Sequence, residues 1–332
     1  MAFIRLLLAV LLASAATVSL AADPARYMTA ELIAESPAPA PGRTILVGIR
    51  MKPKPGWHGY WSNPGDAGFA TTVRWAAPQG VTFGPLEHPA PVLLIADGIS
   101  SYVHEGEHVL ISRMTVPRGL AAGTAIPVKA QLNWAACTAT MCVPLNATLA
   151  LDLTVGDGGK GPDWPMLRAA LARLPRTAPP GTFSSDGKTI RLALPGAVRL
   201  NVRTAQFFPD DNDAFETARG HAEATSSGII IAGPASGKLA RAISGVTTDG
   251  SSAFRLNFRH EEPKAERVTQ AGATRSQHVA ASGENAAEPA KSEEAVSKPP
   301  AQVPARTFWP WLALVVAVAA AAVAIVRLGS AR

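Results

Sequence analysis

Alternating apolar and polar residues mark two long strands in the middle of the chain. From Ile126 to Trp134 every second residue is apolar, and the residues between them are mostly polar. The same alternation recurs from Leu149 to Val155. A period of two places the apolar side chains on one face of a half-buried strand. Both segments are therefore predicted to be strands that bury one face in a core.

Shorter strand candidates lie on both sides of this pair, separated by turn signals rich in Gly, Pro, Asn and Asp. Short strands without interleaved helices are typical of antiparallel sandwiches. The expected fold class is mainly β, with two immunoglobulin-like β-sandwich domains. The further candidates are residues 44–51, 71–75 and 108–115 in the first domain, and 189–194, 198–202, 228–232 and 254–258 in the second.

One helix is predicted over residues 163–174, at the start of the second domain. Asp163 suits the N-cap, and Pro165 lies in the first turn, where a missing N–H removes no helical hydrogen bond. An apolar stripe at helical spacing runs along one face and is formed by Leu167, Ala170, Leu171 and Leu174.

Both ends of the chain have the composition of membrane-directed segments. Residues 1–21 have one arginine, an apolar run and small residues before Ala21, which predicts a cleaved signal peptide. Residues 309–326 contain no charge and, at ~1.5 Å per residue, are long enough to cross the ~30 Å hydrocarbon core of a bilayer. Arginines follow this run, which places the C-terminal end in the cytoplasm. We therefore expect a single-pass protein of a bacterial inner membrane with its folded domains in the periplasm.

The segment before the apolar run has the composition of a disordered linker. Residues 259–307 are rich in Ala, Glu, Lys, Ser and Pro, and bury too little apolar surface to offset the entropy of ordering. The expected organisation is a signal peptide at 1–21, a first domain at 22–156, a second at 163–258, the linker at 259–307, a transmembrane helix at 308–327 and a tail at 328–332.

Composition excludes some classes of partner and cofactor. The net charge is +6, but the basic residues are scattered and form no patch of the kind that binds nucleic acid. Residues 156–161 fit the pattern G-x-G-x-x-G, yet no strand–helix–strand unit surrounds them, and a domain linker explains the glycines better. We expect no nucleic-acid partner and no cofactor.

Histidines and tryptophans supply weaker candidates. His104 and His108 have a metal-ligand spacing only if they share a helix face, and their β-rich surroundings favour surface histidines and no metal. The first domain has four tryptophans, which are most simply core residues. Two of them, Trp57 and Trp61, have the alternative of lining a groove.

The chain has two cysteines, Cys137 and Cys142, separated by four residues. Closing so small a ring restrains the unfolded chain little, on the order of 2 kcal/mol, so stability alone is a weak reason for the pair. Exchange chemistry needs a nearby second thiol, which this spacing provides. Met141 beside Cys142 is a further soft ligand for copper(I). A structural disulfide, a redox pair and a soft-metal site all remain open on spacing alone.

Three stretches containing these residues resemble the N-terminal periplasmic region of the thiol:disulfide interchange protein DsbD family. They are residues 56–68, 97–107 and 134–144, and they are most similar to the ScsB-like branch, which is linked to suppression of copper sensitivity. Residues 205–210 resemble the second domain of that branch less specifically. The resemblance covers about residues 25–258.

The resemblance implies an immunoglobulin-like domain with a reversible cysteine pair, Cys137 and Cys142, as the catalytic residues. By analogy Cys142 attacks the partner disulfide, Cys137 resolves the mixed disulfide, and residues 101–104 lie in a loop that shields the pair. Its implied partners are a membrane electron-conduit protein and periplasmic thioredoxin-like or disulfide-bonded proteins.

Full-length relatives continue into about eight membrane helices and a thioredoxin domain, whereas this chain has one apolar span and no further cysteine. We therefore expect a membrane-tethered exchange module of protein-disulfide reductase type that depends on a separately encoded electron donor. The alternatives are a copper(I)-handling, copper-tolerance protein that uses the same thiols, and a non-catalytic binding scaffold with a structural disulfide.

Overall fold

The computed structural model describes residues 23–211, 215–235 and 242–261, and most of this part of the chain is β-structure. The first ten strands are β1 Met28–Ala34, β2 Thr44–Pro53, β3 His58–Gly65, β4 Thr72–Ala76, β5 Thr82–Phe83, β6 Val92–Ala96, β7 Ile99–Glu105, β8 His108–Thr115, β9 Ala125–Cys137 and β10 Cys142–Thr154. One α-helix, α1 Trp164–Ala172, follows within the described residues.

The first domain is an antiparallel sandwich, as the strand pattern predicted. One sheet has the order β1-β2-β8-β5, and the other has the order β10-β9-β3-β7-β6 with β4 also paired to β9. We call the second sheet the cysteine sheet, because it carries both cysteines. The residues buried between the two sheets include Met28, Ile49, Met51, Leu110, Leu132 and Trp134.

The strand predictions from alternation hold best where one face is buried. Strand β9 buries every second side chain from Ile126 to Trp134, as expected, and β10 follows the same pattern. Strand β2 is buried on both faces, because a helix covers its outer side.

The prediction of a strand over 198–202 is wrong. That segment is irregular, and its apolar Val198 packs into the core without pairing.

Helix α1 packs on the outer side of the first sandwich. Leu167 is fully buried against Ile33, Leu46, Val109 and Ile111. The close approach explains a glycine in β2, since a Cβ on Gly48 would lie 2.7 Å from a methyl carbon of Leu167. The predicted capping role of Asp163 is wrong, because its carboxylate instead accepts a hydrogen bond from the backbone N–H of Ala34.

The second domain is one sheet of eight strands in the described residues. Its order is β14-β17-β18-β12-β13-β16-β15, with β11 paired to β18, whereas the prediction of a second sandwich expected two sheets. The strands are β11 Arg176–Thr177, β12 Gly181–Ser185, β13 Thr189–Ala193, β14 Gln206–Pro209, β15 His221–Thr225, β16 Gly228–Pro234, β17 Ala242–Thr248 and β18 Ala253–His260.

The two β-domains meet through an aromatic cluster. Trp61 and Tyr102 project from the cysteine sheet and pack against Phe208 of β14, with ring centroids 5.2 to 6.4 Å apart. The Tyr102 hydroxyl donates a hydrogen bond of 2.9 Å to the hydroxyl of Thr217. A buried aromatic contact with a satisfied polar group holds one face of the cysteine sheet against the second domain.

Across the residues that the structure describes, no helix has the length and apolarity needed to cross a bilayer. The predicted signal peptide at 1–21 and the predicted transmembrane helix at 308–327 lie outside those residues. Of the predicted linker at 259–307, only residues 259–261 are described, and β18 extends into it as far as His260.

Candidate functional site

The cysteine pair closes the tip of the longest hairpin in the first domain. Strands β9 and β10 have 13 residues each and pair along their whole length, from Cys142 opposite Cys137 to Thr154 opposite Ala125. The two sulfurs form a disulfide, and the two Cα atoms are 4.1 Å apart. The backbone N–H of Thr138 donates to the carbonyl of Met141 across the turn. The hairpin therefore holds the cysteines face to face.

The two cysteines differ in exposure. Cys137 is fully buried, whereas Cys142 is exposed at the start of β10. The neighbouring Met141 has 51% of its surface exposed, which is unusual for a large apolar side chain. Exchange requires access to a sulfur. Of the two cysteines, Cys142 is therefore the one that an incoming group can approach.

A buried tyrosine supports the exposed sulfur. The Tyr60 hydroxyl lies 3.5 Å from the Cys142 sulfur and donates to it, since a disulfide sulfur has no hydrogen. The tyrosine ring packs with Val103, Ala135 and Cys137 in one apolar cluster. Burial raises the pKa of Tyr60 above its ordinary value, because it disfavours the phenolate. The phenol therefore stays protonated and remains a hydrogen-bond donor.

The loop between β3 and β4 covers the tyrosine ring. Gly68 lies against it so closely that a Cβ would come within 2.1 Å of a ring carbon, and its φ of +79° is also one that favours glycine. Phe69, the next residue, is 40% exposed. The expectation that residues 101–104 form the shielding loop is wrong, because these residues lie in β7 and the covering segment is residues 66–70.

A row of four residues crosses the cysteine sheet at the level of the disulfide. Cys142 pairs with Cys137, Cys137 pairs with His58, and His58 pairs with Glu105. His58 is 6% exposed. Burial lowers the pKa of His58, because it disfavours the imidazolium, and the charge of Glu105 opposes that shift. His58 was not predicted as a site residue. Its place beside Cys137 depends on strand pairing between segments that are distant in sequence.

The histidine pair suggested by spacing is not at the surface. His104 on β7 and His108 at the start of β8 are both buried, with ring centroids 4.6 Å apart, and His88 lies 5.9 Å from His104. The prediction of surface histidines is therefore wrong. In the described part of the chain, no group of three or more histidine, cysteine or acidic side chains has a geometry that fits a metal ion.

Burial determines the protonation of this histidine cluster, which we define as His88, His104 and His108. Desolvation lowers the pKa of His88 and of His108 to about 4, and it lowers that of His104 well below its ordinary value. The positive charge of His108 adds to the shifts of the other two. The cluster is thus neutral at pH 7 and contributes no charge to the hairpin tip.

The remaining sequence candidates are structural. Trp61 and Trp134 are fully buried, while Trp57 packs edge-on against Tyr27 and Trp75 stacks on Phe83. Residues 156–161 form an irregular segment whose backbone N–H groups donate to carbonyls of residues 35–39. The glycines therefore serve chain packing, in line with the linker interpretation.

A cleft of about 990 Å³ lies between the first domain, α1 and the second domain. Its lining includes His104, His108 and Arg173, and neither cysteine contributes to it. Small-molecule sites are normally concave. The exposed sulfur instead projects from a hairpin tip, which is a geometry suited to a partner surface.

Comparison with known proteins supports the fold of the first domain. Residues 29–154 match the family model described as thiol:disulfide interchange protein DsbD, N-terminal, which confirms the resemblance over that segment. The N-terminal periplasmic domain of ScsB from Proteus mirabilis is similar in structure, with a TM-score of 0.55, 15% identity, and coverage of 71% of this chain and 94% of that one.

The reduced N-terminal domain of DsbD from Neisseria meningitidis matches over 42% of this chain and 93% of that one, at 13% identity and a TM-score of 0.24. No curated protein sequence matches the chain.

Proposed function

We propose that this protein is a thiol:disulfide exchange module that reduces oxidised periplasmic proteins through Cys137 and Cys142, since residues 29–154 match the model of the DsbD N-terminal domain. The observation that carries the proposal is the paired disulfide at the hairpin tip, with one sulfur exposed and the other buried. Such an asymmetric pair assigns separate roles to its two thiols.

In the reduced protein, the thiolate of Cys142 attacks a disulfide sulfur of the partner. An S–S bond forms between Cys142 and the partner, and the partner's other sulfur leaves as a thiolate. Cys137 then loses its proton and attacks the Cys142 sulfur, which re-forms the Cys137–Cys142 disulfide and releases the second partner thiolate. The module loses two electrons and two protons, and the partner gains both.

Protein disulfides fit this site better than small disulfides do. Cys142 lies next to the exposed side chain of Met141, and its sulfur contacts Tyr60. The loop that covers the Tyr60 ring carries a second exposed apolar side chain, Phe69. Exposed apolar side chains around a reactive group favour contact with a protein surface. We propose thioredoxin-like and other disulfide-bonded periplasmic proteins as acceptors.

We propose a separately encoded membrane conduit protein as the electron donor, because the Cys137–Cys142 disulfide formed in each exchange has to be reduced again. Residues 308–327 are the proposed anchor in the inner membrane, since their uncharged sequence is long enough to span it. This anchor would keep the exchange site close to a donor in the same membrane.

The test compares two variants of the full chain in reduced form, each mixed with a disulfide-bonded protein substrate. Cys137→Ser is expected to accumulate a mixed disulfide through Cys142, because the resolving thiol is missing. Cys142→Ser is expected to trap almost none, since the remaining thiol is buried. Mass spectrometry after acid quenching and alkylation measures both.

Two results would count against exchange. If the Cys137→Ser variant traps no partner, the exposed sulfur is not the attacking group. If the wild-type disulfide resists reduction by a thioredoxin-type donor while the protein stays folded, the pair is structural and the protein is better described as a scaffold.

A further inference from the structure

In the second exchange step the thiol of Cys137 attacks the mixed disulfide, and the burial of Cys137 makes this step difficult. Cys137 has to lose a proton before it attacks, yet it is fully buried among apolar side chains. Burial in apolar surroundings raises the pKa of a thiol above ~8.5. An unassisted thiol of that pKa is only a few per cent thiolate at pH 7. A proton acceptor next to Cys137 would remove this limit.

Strand pairing places an imidazole beside this thiol. His58 is the register partner of Cys137, and directly opposed residues of an antiparallel pair share a face, with Cβ atoms ~4.5–5.5 Å apart. Cys142 is the register partner of Cys137 on the other side. The buried thiol is thus flanked by the sulfur that it attacks and by a titratable ring.

His58 is free to take part in this step. Among the described residues, neither of its ring nitrogens has a hydrogen-bond partner, in contrast to His108, whose Nδ1 contacts the carbonyl of Gly106. Burial keeps the imidazole of His58 neutral at pH 7, which is the form that accepts a proton. The tyrosine ring of Tyr60, 5.6 Å away centre to centre, packs against it and limits its movement.

The fourth member of the row supplies a compensating charge. Glu105 is the register partner of His58 on β7, and it is exposed at the rim of the sheet. Its charge favours the imidazolium. A carboxylate that pairs with a histidine stabilises the positive ring that forms when the histidine takes a proton.

We propose that His58 accepts the proton of the Cys137 thiol as Cys137 attacks the mixed disulfide, and that Glu105 stabilises the resulting imidazolium. This inference rests on the proposed exchange function. In the step, the S–H bond of Cys137 breaks and an N–H bond forms on His58. The Cys137–Cys142 bond forms, and the bond between Cys142 and the partner breaks. The proton then passes from His58 to the released partner thiolate or to water.

The role predicts a particular dependence on pH. With His58 in place, the resolving rate is nearly constant from pH 7 upward, because the imidazole is already neutral. Without it, the rate rises about tenfold per pH unit until the thiol ionises by itself. At pH 7 the expected difference is about 30-fold, and the two rates converge above pH 9.

The experiment follows the reduced full chain after mixing with oxidised glutathione, the probe disulfide, from pH 6 to pH 10. Acid quenching and mass spectrometry separate the reduced protein, the Cys142–glutathione mixed disulfide and the re-formed disulfide, so the two steps have separate rates. The variants are His58→Gln and Glu105→Gln. The matched control is His221→Gln, an exposed histidine on β15 of the second domain.

We expect His58→Gln to slow only the second step, by about 30-fold at pH 7, and to let the mixed disulfide accumulate. Glu105→Gln is expected to slow the same step severalfold. Its side chain is exposed, so folding is not at risk, and this variant decides the question if His58→Gln does not fold. The His221→Gln control is expected to match the wild type.

Several results would overturn the inference. An unchanged second step in both variants excludes His58 as the acceptor. Equal slowing of both steps at every pH assigns His58 a structural role only. These outcomes are distinct from failure of the proposed function, in which the wild type itself forms no mixed disulfide with the probe.

Discussion

Two groups of potentially reactive side chains lie in the first domain, and they differ in access to solvent. The cysteine pair ends a hairpin, and one of its sulfurs is exposed. The histidine cluster of His88, His104 and His108 lies inside, with its rings in contact with one another. Sequence spacing draws attention to both groups. Among these groups, only Cys142 has the exposure that reaction with another molecule needs.

The contrast shows that burial decides what a reactive residue type does. In the histidine cluster desolvation outweighs the neighbouring charge of Glu107, so the rings are neutral at pH 7 and folding stability falls at acid pH. In the cysteine pair, by contrast, Cys142 is exposed, whereas Cys137 is buried. Three perturbations separate these behaviours, and acid has the strongest effect on stability.

Acid is expected to lower the free energy of unfolding, because it acts on the buried histidine cluster. The folded-state pKa of His88 and of His108 is about 4, below the unfolded value of ~6.5, so the unfolded chain binds more protons between these two pH values. The stability is complete above pH 6.5 and is lost as the pH falls toward 4, by at most about 3 kcal/mol per histidine. The disulfide has no titrating group in this window.

Urea unfolding followed by tryptophan fluorescence at pH 7, 6, 5 and 4 measures this loss. The His104→Gln variant should reduce the slope against pH, whereas His221→Gln, on the exposed strand β15, should leave it unchanged. A free energy of unfolding that stays flat between pH 7 and pH 5 would contradict the neutral, buried state of the cluster.

The second perturbation acts on the loop between β3 and β4, which covers the Tyr60 ring beside the cysteine pair. Gly68→Ala places a Cβ against the Tyr60 ring at a residue with φ +79°, so we expect a loss of roughly 3 kcal/mol from strain and overpacking together. The displaced ring should also leave the Cys142 sulfur more accessible. Reduction of the disulfide by dithiothreitol is therefore expected to become faster.

The control is Gly98→Ala, at φ +80° with no atom within 4 Å of the added Cβ. This variant isolates backbone strain, at about 1 kcal/mol, and should leave the reduction rate unchanged. Equal rates for Gly68→Ala and the wild type would show that the loop over Tyr60 does not control access.

The third perturbation tests whether Met141 contributes to the recognition of a protein partner, and its expected effect is small. Met141→Ala should change the free energy of unfolding by less than about 0.5 kcal/mol, because the side chain is half exposed. It should slow exchange with a protein disulfide about threefold, through lost contact, and leave exchange with oxidised glutathione unchanged.

Ile95→Ala is the matched control for recognition. Ile95 is 54% exposed. Its neighbour Leu94 packs against the apolar cluster of Tyr60, Val103, Ala135 and Cys137, so Ile95 points to the opposite face of the sheet. An equal slowing in both variants would argue against a docking surface around Met141.

The sequence was sufficient to predict the strands that bury one face and to single out the two cysteines that the structure joins in a disulfide. Alternation identified β9 and β10, and two cysteines at short spacing identified the hairpin tip. Residues 101–104 were placed in a loop by analogy with the family, whereas in this chain they lie in β7.

The neighbours of the site were not predictable in the same way. His58 and Tyr60 reach the cysteines through pairing between β3 and β9, and His88 joins His104 and His108 from a different segment. Such contacts depend on the register of strands that are distant in sequence, which local patterns do not encode.

The length of the cysteine hairpin has a consequence for the lifetime of any complex. Thirteen paired residues on each strand fix the positions of Cys137 and Cys142 relative to each other. When Cys142 is joined to a partner, Cys137 therefore competes at a high effective concentration, far above that of free thiols in solution. In the proposed exchange, the hairpin would therefore keep each mixed disulfide short-lived.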